Sequence, residues 1–357
     1  MGRRRGGDPR RDRRAVGRVS LVIWGAGAIG GTIGAYVARA GIDVTLVDVV
    51  REHVDTMNRE GLHIEGPVET FTVPVRAVTP DELEGTFDTV LLCTKAQHTR
   101  DATTRIAPHL APSGHVVSVQ NGLNEWIIAE IVGQERTVGA FVNFGADYLA
   151  PGRIHFGGRG AVVIGELDGA TRPRIIDLFH VLHSFDPAAR ITDNIWGYLW
   201  GKMGYGAMLF ASALTNESIA DVLAARHVRP ILDALALEVL QVASAEGVVP
   251  LGFNGFVPSA FLLETASERR TASYDAMERH NRGSAKTHSG VWRDLAVRKR
   301  RTEVDAQYGP IVERAQLHGI DVPHLTRMID LIHAVEEGRA QQAWATLEAI
   351  GTDAPGA

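Results

Sequence analysis

Val19-Ser20-Leu21-Val22-Ile23-Trp24-Gly25-Ala26-Gly27-Ala28-Ile29-Gly30 is the stretch on which the fold turns. Val19–Trp24 is a short apolar run, rich in β-branched side chains, that stops at a glycine cluster, as a strand buried on both faces does. From Ala28 to Ala40 the apolar residues Ile29, Ile33, Tyr36, Val37 and Ala40 recur at helical spacing, and Gly41 supplies the stop. Val44–Val47 is a second apolar strand, closed by Asp48. Strand, helix and strand within about 30 residues make a βαβ unit.

Gly25, Ala26, Gly27, Ala28, Ile29 and Gly30 form a G-x-G-x-x-G turn, and an acidic residue, Asp48, lies 18 positions after Gly30 at the end of the next strand. That context turns a weak motif into a dinucleotide site. Gly25 permits the tight turn, Gly27 admits a pyrophosphate close to the backbone, and Gly30 lets helix and strand approach. The helix start offers unpaired N–H groups to the anion. Asp48 is placed to accept from the adenine-ribose hydroxyls and to repel a 2′-phosphate, which favours NAD(H) over NADP(H). Arg51 is close enough to offset part of that repulsion.

Working outward, Thr89–Cys93 and His115–Val119 read as further buried strands. Thr137–Tyr148, Arg153–Phe156 and Ala161–Gly165 are β-rich, with Pro151-Gly152 and Gly157-Gly158 as turns, and read as antiparallel strands appended to the parallel sheet. After about residue 192 helical patterns take over: Trp196–Phe210, Pro230–Glu246, Ser289–Val297, Glu303–His318 and Met328–Glu336. The fold class expected is α/β: an N-terminal Rossmann domain over 19–192, then an all-helical domain over 193–345. A disordered Arg-rich tail, 1–18, and a flexible end, 346–357, flank them.

Composition agrees with this division. A chain of 357 residues, 45% hydrophobic and 22% charged, suits two globular domains and excludes a fibrous or wholly disordered protein. The net charge of -5 hides an asymmetry, since residues 1–18 carry eight Arg against two Asp and leave the rest at -11. An acidic body is unlike a nucleic-acid binder. Cys93 is the only cysteine, which fits a reducing, cytoplasmic setting and an inert packing role. No apolar stretch reaches the roughly 18 residues of a membrane span, and the basic start lacks the apolar segment of a secretory signal. Despite 14 His, there is no H-E-x-x-H and no Cys/His cluster, so no metal is expected, even at His280 and His288.

Several segments, in order, resemble the ketopantoate reductase (2-dehydropantoate 2-reductase) family. These are Gly25–Gly30, Cys93-Thr94-Lys95, Gln120-Asn121-Gly122, Pro151-Gly152-Arg153 with Val163-Ile164-Gly165-Glu166, and Lys202 soon after Trp200. Arg301-Thr302-Glu303-Val304-Asp305 and His318-Gly319-Ile320-Asp321-Val322-Pro323 complete the series. The resemblance implies a helical domain like that of 6-phosphogluconate dehydrogenases, a homodimer, and NAD(P)H-dependent reduction of a small-molecule 2-oxo acid. It assigns a dinucleotide contact to Lys95, a nicotinamide-side and substrate contact to Asn121, and the catalytic lysine and glutamate to Lys202 and Glu303. Hydride addition builds negative charge on the carbonyl oxygen, so a lysine desolvated among Trp200, Gly201, Met203, Gly204, Tyr205 and Gly206 suits a proton donor. Glu303 would bind the substrate hydroxyl and hold Lys202 in place.

The sequence also departs from that family. The asparagines expected four and eight residues after the lysine are replaced by Gly206 and Phe210, and two extra helical residues would make Ser212 the counterpart of the second. Ser289 is the candidate for meeting the substrate carboxylate. Trp196, Trp200, Tyr205, Phe210 and Trp292 either line a pocket for a bulkier, more apolar 2-oxo acid or fill the core. A dehydrogenase for another oxo or hydroxy acid, and a non-catalytic dinucleotide sensor, are the alternative readings.

Overall fold

The buried tetrapeptide Leu21–Trp24 forms strand β1 at the middle of a ten-stranded sheet. The computed structural model describes residues 20–262, 266–284 and 286–352; the basic tail lies outside them. After β1 come α1 (Ala28–Arg39), β2 (Val44–Val47), α2 (Arg51–Glu60), β3 (Leu62–Glu65), β4 (Phe71–Val73), β5 (Arg76–Val78) and β6 (Phe87–Leu92). Then follow α3 (Thr99–Ile106), β7 (Leu110–Ser118), α4 (Glu125–Val132), β8 (Thr137–Ala150), β9 (Arg153–Glu166), α5 (Pro173–Phe185) and β10 (Arg190–Ile191). The remainder is helical: α6 (Ile195–Ser212), α7 (Ile219–Ala224), α8 (Arg229–Ala245), α9 (Ser267–Arg282), α10 (Gly290–Ala296), α11 (Val304–Leu317), α12 (Pro323–Glu336) and α13 (Trp344–Glu348).

The sheet order is β4-β3-β9-β8-β7-β6-β1-β2-β5, with β10 beside β9. Strands β5, β2, β1, β6, β7 and β8 run parallel, each pairing with its neighbour in that direction. Antiparallel pairing enters only at β8–β9 and β3–β4. This is the Rossmann sheet with an appended antiparallel hairpin, followed by helices.

Three expectations need correction. Gly157-Gly158 is not a turn, because β9 runs unbroken through it; the ladder instead shifts register near Gly145. The small residues there serve close approach, since a Cβ on Gly160 would lie 1.6 Å from the Asn143 carbonyl oxygen. Residues 346–352 are not a loose end either, because Leu347 and Ile350 are buried in the helical core; 353–357 lie outside the described residues. Strands β3, β4 and β5 and helices α5, α7 and α9 are among the elements that the sequence reading leaves out. The strands are three or four residues long, and α9 buries only Ser273, Tyr274 and Met277.

Helix α6 joins the two halves. It is buried almost all round, as a helix inside a core must be, and its cluster includes Phe141 of β8 and Val163 of β9. Among the described residues no helix is long and apolar enough to cross a membrane. Gly197, Gly201 and Gly204 of α6 face the chain at 249–256. Leu251 N donates to Gly197 O at 2.8 Å, and a Cβ on Gly201 would sit 1.9 Å from the Leu251 carbonyl oxygen. Gly201→Ala should therefore destabilise the chain by about 1–3 kcal/mol, the range for overpacking a well-packed core. A denaturant midpoint equal to that of the wild type would refute this packing.

Candidate active site

The strand order reverses at β1, between β2 on one side and β6 on the other, so a crevice opens at their carboxyl ends. Gly25 has φ +101°, and a Cβ there would lie 2.8 Å from Thr94 N. A Cβ on Gly30 would strike Gly25 O at 2.1 Å, which is the close helix–strand contact expected of it. Gly27 has nothing within 4 Å of its Cβ position. The N-terminus of α1 has no side-chain cap and no acidic residue in its first turn. Open space before unpaired amides fits a pyrophosphate.

One residue the sequence did not disclose pins this loop. His53 is buried; its Nδ1 accepts from Gly152 N at 2.9 Å, so the proton sits on Nε2, which donates to Ala26 O at 2.9 Å. Asp48 turns one oxygen to Val50 N at 3.0 Å. Arg51 is engaged elsewhere: it donates to Glu82 at 2.6 Å and to Thr79 Oγ1 at 3.3 Å. The Thr79 amide and hydroxyl, with Arg51, hold the Glu82 carboxyl down at about 2.

Across the crevice, Lys202 of α6 donates to Asn121 Oδ1 at 2.6 Å and to Val142 O at 2.7 Å, 5.4 Å from the Phe141 ring centre. Desolvation pushes its ammonium down to about 8, against the pull of Glu303 and Glu125. Two neutral oxygens thus hold a lysine whose remaining N–H is available to a third acceptor.

Glu303 and Lys95 meet each other rather than their expected partners. Glu303 accepts from Ala96 N at 2.9 Å and from Lys95 Nζ at 3.0 Å, and stands at the residue before α11 with its side chain turned to these donors and not to the helix amides. Lys95 also donates to Asp294 at 3.0 Å. Asp294 is buried and takes Arg298 at 3.1 Å and Arg300 at 2.9 Å, which together with Lys95 hold its carboxyl below the usual range despite burial. Lys202 is therefore fixed by Asn121 and Val142, with Glu303 acting on it through space. Lys95 is an ion-pair bridge from the end of β6 to the helices.

A buried network ties these groups together. Asn124 Nδ2 donates to Asn121 O at 2.7 Å. Thr99 Oγ1 accepts from Gln120 Nε2 at 2.9 Å and lies 2.9 Å from Asn124 Oδ1 and 2.7 Å from Ala96 O. Gln120 also donates to Thr94 O at 2.9 Å. The loop that carries Lys202's acceptor and the turn that carries Glu303's donor are thus one unit.

The remaining candidates divide. Ser289 caps α10 by accepting from Trp292 N at 3.1 Å, which leaves its own proton to donate. Ser212 is buried and donates to Leu209 O at 2.8 Å, so its hydroxyl is satisfied within the helix and it is not a substitute for the missing amide. Where that amide chemistry was expected, α11 places Tyr308. Its hydroxyl donates to Met203 O at 3.0 Å and would stand 2.7 Å from a Cβ on Gly206, and its ring lies edge-on to Phe210 at 4.9 Å. Trp200, Tyr205 and Phe210 are core residues, whereas Trp196 and Trp292 are partly exposed. Burial pushes the Cys93 thiol up, consistent with packing.

Lys202 also predicts a pH effect on stability. Its folded value, about 8, lies below the ordinary 10.5, so between these values the unfolded chain binds more protons. Stability of the wild type relative to Lys202→Met should rise with pH across that window. Denaturant midpoints for both proteins, measured from pH 7 to 10.5, check this; parallel curves would contradict it.

Comparison with known proteins agrees with this architecture. The profile of "Ketopantoate reductase PanE/ApbA" matches residues 21–169, and that of its C-terminal part matches 194–336. A 2-dehydropantoate 2-reductase of Pyrococcus abyssi is 29% identical over 316 residues, covering 85% of this chain and 94% of that protein. One from Halobacterium salinarum is 26% identical over 325 residues, covering 88% and 98%. A crystal structure of a ketopantoate reductase from Ralstonia eutropha JMP134 superposes with a TM-score of 0.74 at 27% identity, covering 90% and 99%. D-mandelate dehydrogenase with NADH and anilino(oxo)acetate gives a TM-score of 0.77 at 22% identity, covering 90% and 99%, a likeness of fold. With its glycine turn, its half-buried lysine and both halves matched in order, the chain belongs to the ketopantoate reductase family of NAD(P)H-dependent oxidoreductases.

Proposed function

We propose that this enzyme reduces a 2-oxo acid to the 2-hydroxy acid in the crevice between the sheet and α6, with the chain dividing near residue 192 into dinucleotide and catalytic domains. The observation that carries the reading is Lys202, desolvated and held by Asn121 and Val142 O with one N–H left over. The dinucleotide, when bound, supplies the hydride. Gly25–Gly30 and the start of α1 receive its pyrophosphate, and Asp48 its adenine ribose. Lys202 donates a hydrogen bond to the substrate's carbonyl oxygen and yields its proton there as negative charge develops. A value near 8 keeps the ammonium largely charged at neutral pH yet ready to release a proton. Glu303 sits within electrostatic reach of Lys202 and adds to its proton affinity. Ser289, with a free hydroxyl proton, serves the substrate carboxylate. Lys202→Ala should lose roughly three orders of magnitude in kcat while dinucleotide affinity stays within about twofold; near-wild-type turnover would sink the assignment.

The substrate is ketopantoate or a related branched or apolar 2-oxo acid. The absence of amide side chains at Gly206 and Phe210 favours the apolar members, since no side-chain amide is offered there to a polar substituent. A panel of ketopantoate, branched and aromatic 2-oxo acids orders them by kcat/KM. The cofactor is NADH in preference to NADPH. Asp48 faces the ribose, and the only nearby arginine identified from sequence, Arg51, is paired with Glu82. We expect kcat/KM at least tenfold higher with NADH, and equal values would overturn that preference.

A further inference from the structure

Glu125 is the deepest acidic group near the proposed site, and neither the family resemblance nor the mechanism uses it. It opens α4, is 0% exposed, and neither of its carboxyl oxygens has a hydrogen-bond partner among the described residues. A carboxylate stripped of water and left without donors is strongly disfavoured unless a cation compensates it. The first turn of α4 reaches α6 through Trp126. Trp126 stacks on Trp196 at 5.3 Å and meets Trp200 edge-on at 6.1 Å, two residues before the lysine. Four residues before Glu125 stands Asn121, which holds Lys202 directly. Ser118 lies beside the carboxyl, and its hydroxyl has no partner of good geometry either. Trp200 Nε1, buried and unpaired, belongs to the same region.

We propose that Glu125 is a positioning residue that acts as the internal counter-charge of Lys202, keeping that ammonium protonated in a pocket that would otherwise strip its proton. The proposal rests on Lys202 being the proton donor.

The charged groups that face Lys202 are few. Glu303 from the start of α11 and Glu125 from α4 favour the ammonium, and Lys286 from the segment before α10 opposes it. Tyr308 of α11 is buried with its proton committed to Met203 O and adds no charge. The charged group that acts on Glu125 is Lys202 itself. Burial pushes the Glu125 carboxyl up to about 7, so the two groups titrate in overlapping ranges and each favours the other's charged form. In the reduction, the C=O carbon gains hydride from the reduced dinucleotide and its oxygen gains the Lys202 proton. This leaves a neutral amine, a hydroxy acid and an oxidised dinucleotide. Once the amine is neutral, Glu125 loses its counter-ion and its proton affinity rises; protonation of the amine from solvent restores the pair.

The test is Glu125→Gln, which keeps the shape of the neutral carboxyl. Removing the counter-charge lowers the Lys202 value further, so the alkaline limb of the kcat profile should move to lower pH by roughly one unit. The rate at pH 6 should stay near wild type, the rate at pH 9 should fall about tenfold, and KM for the dinucleotide should hold. A uniform loss at every pH, or an unmoved limb, would overturn the proposal. Glu125→Leu gives a second reading of the same limb. The pH dependence of Lys202 acylation by an amine reagent, followed by peptide mapping in the wild type and in Glu125→Gln, should show the lysine titrating at lower pH in the variant; the same titration in both overturns the proposal. If Lys202→Ala remains fully active, it is the assignment of the proton donor that has failed.

Discussion

A single ammonium, Lys202, sits half-buried where the sheet meets the helices, and the surrounding structure accommodates that constraint. Partial loss of water is offset by hydrogen bonds, which come from Asn121 after β7 and the carbonyl of Val142 in β8. Both acceptors are neutral, which satisfies geometry without raising proton affinity as a directly bonded carboxylate would. The carboxylates stand further off: Glu303 is held by Ala96 N and Lys95, and Glu125 lies buried beside Ser118. Proton affinity is therefore set by distance and burial rather than by a salt bridge.

The same constraint explains the buried polar network. Thr99 links the 94–96 turn to the 120–124 loop, so the donor that fixes Glu303 and the acceptor that fixes Lys202 cannot move independently. On the far side of Lys95, Asp294 gathers Arg298 and Arg300 and anchors α10 to the same bridge. A fully satisfied network in a low-dielectric interior is stiff, and this one ties the sheet to the helices through Lys95 and Lys202.

Legibility in the sequence followed the length and periodicity of each signal. Leu21–Trp24 and Val44–Val47 are continuous β-branched runs and declare themselves, whereas Phe71–Val73 and Arg76–Val78 are three residues long and partly exposed. Helix α9 carries too little apolar surface to show a stripe. Gly157-Gly158 looks like a turn because a glycine pair is turn chemistry; only the three-dimensional ladder shows that this glycine-rich stretch lets two strands cross closely. At the site, the glycine turn, Asn121, Lys202 and Glu303 were named from motif and resemblance. His53, Thr99, Asn124 and Glu125 had no comparable signature, since each works through partners brought near only by folding. His53, for example, meets Gly152 across 99 positions of chain. Ser212 rests on sequence offset alone, and its buried hydroxyl donates within the helix, to Leu209 O.

Tyr308 shows what such a register argument leaves out. Read along α6 alone, Gly206 is a lost side chain and the pocket should be larger. Across the helix pair, the space is already taken: Tyr308 reaches over from α11, bonds Met203 O, and packs its ring on Phe210. A glycine at 206 is then required, because even a Cβ would stand 2.7 Å from the tyrosine hydroxyl. The change is an exchange of two amide donors for an aromatic wall whose polar atom is already satisfied. Tyr308 and Phe210 are both buried, so what replaces the polar pair that the resemblance implied on α6 is core packing between α6 and α11 and not open space.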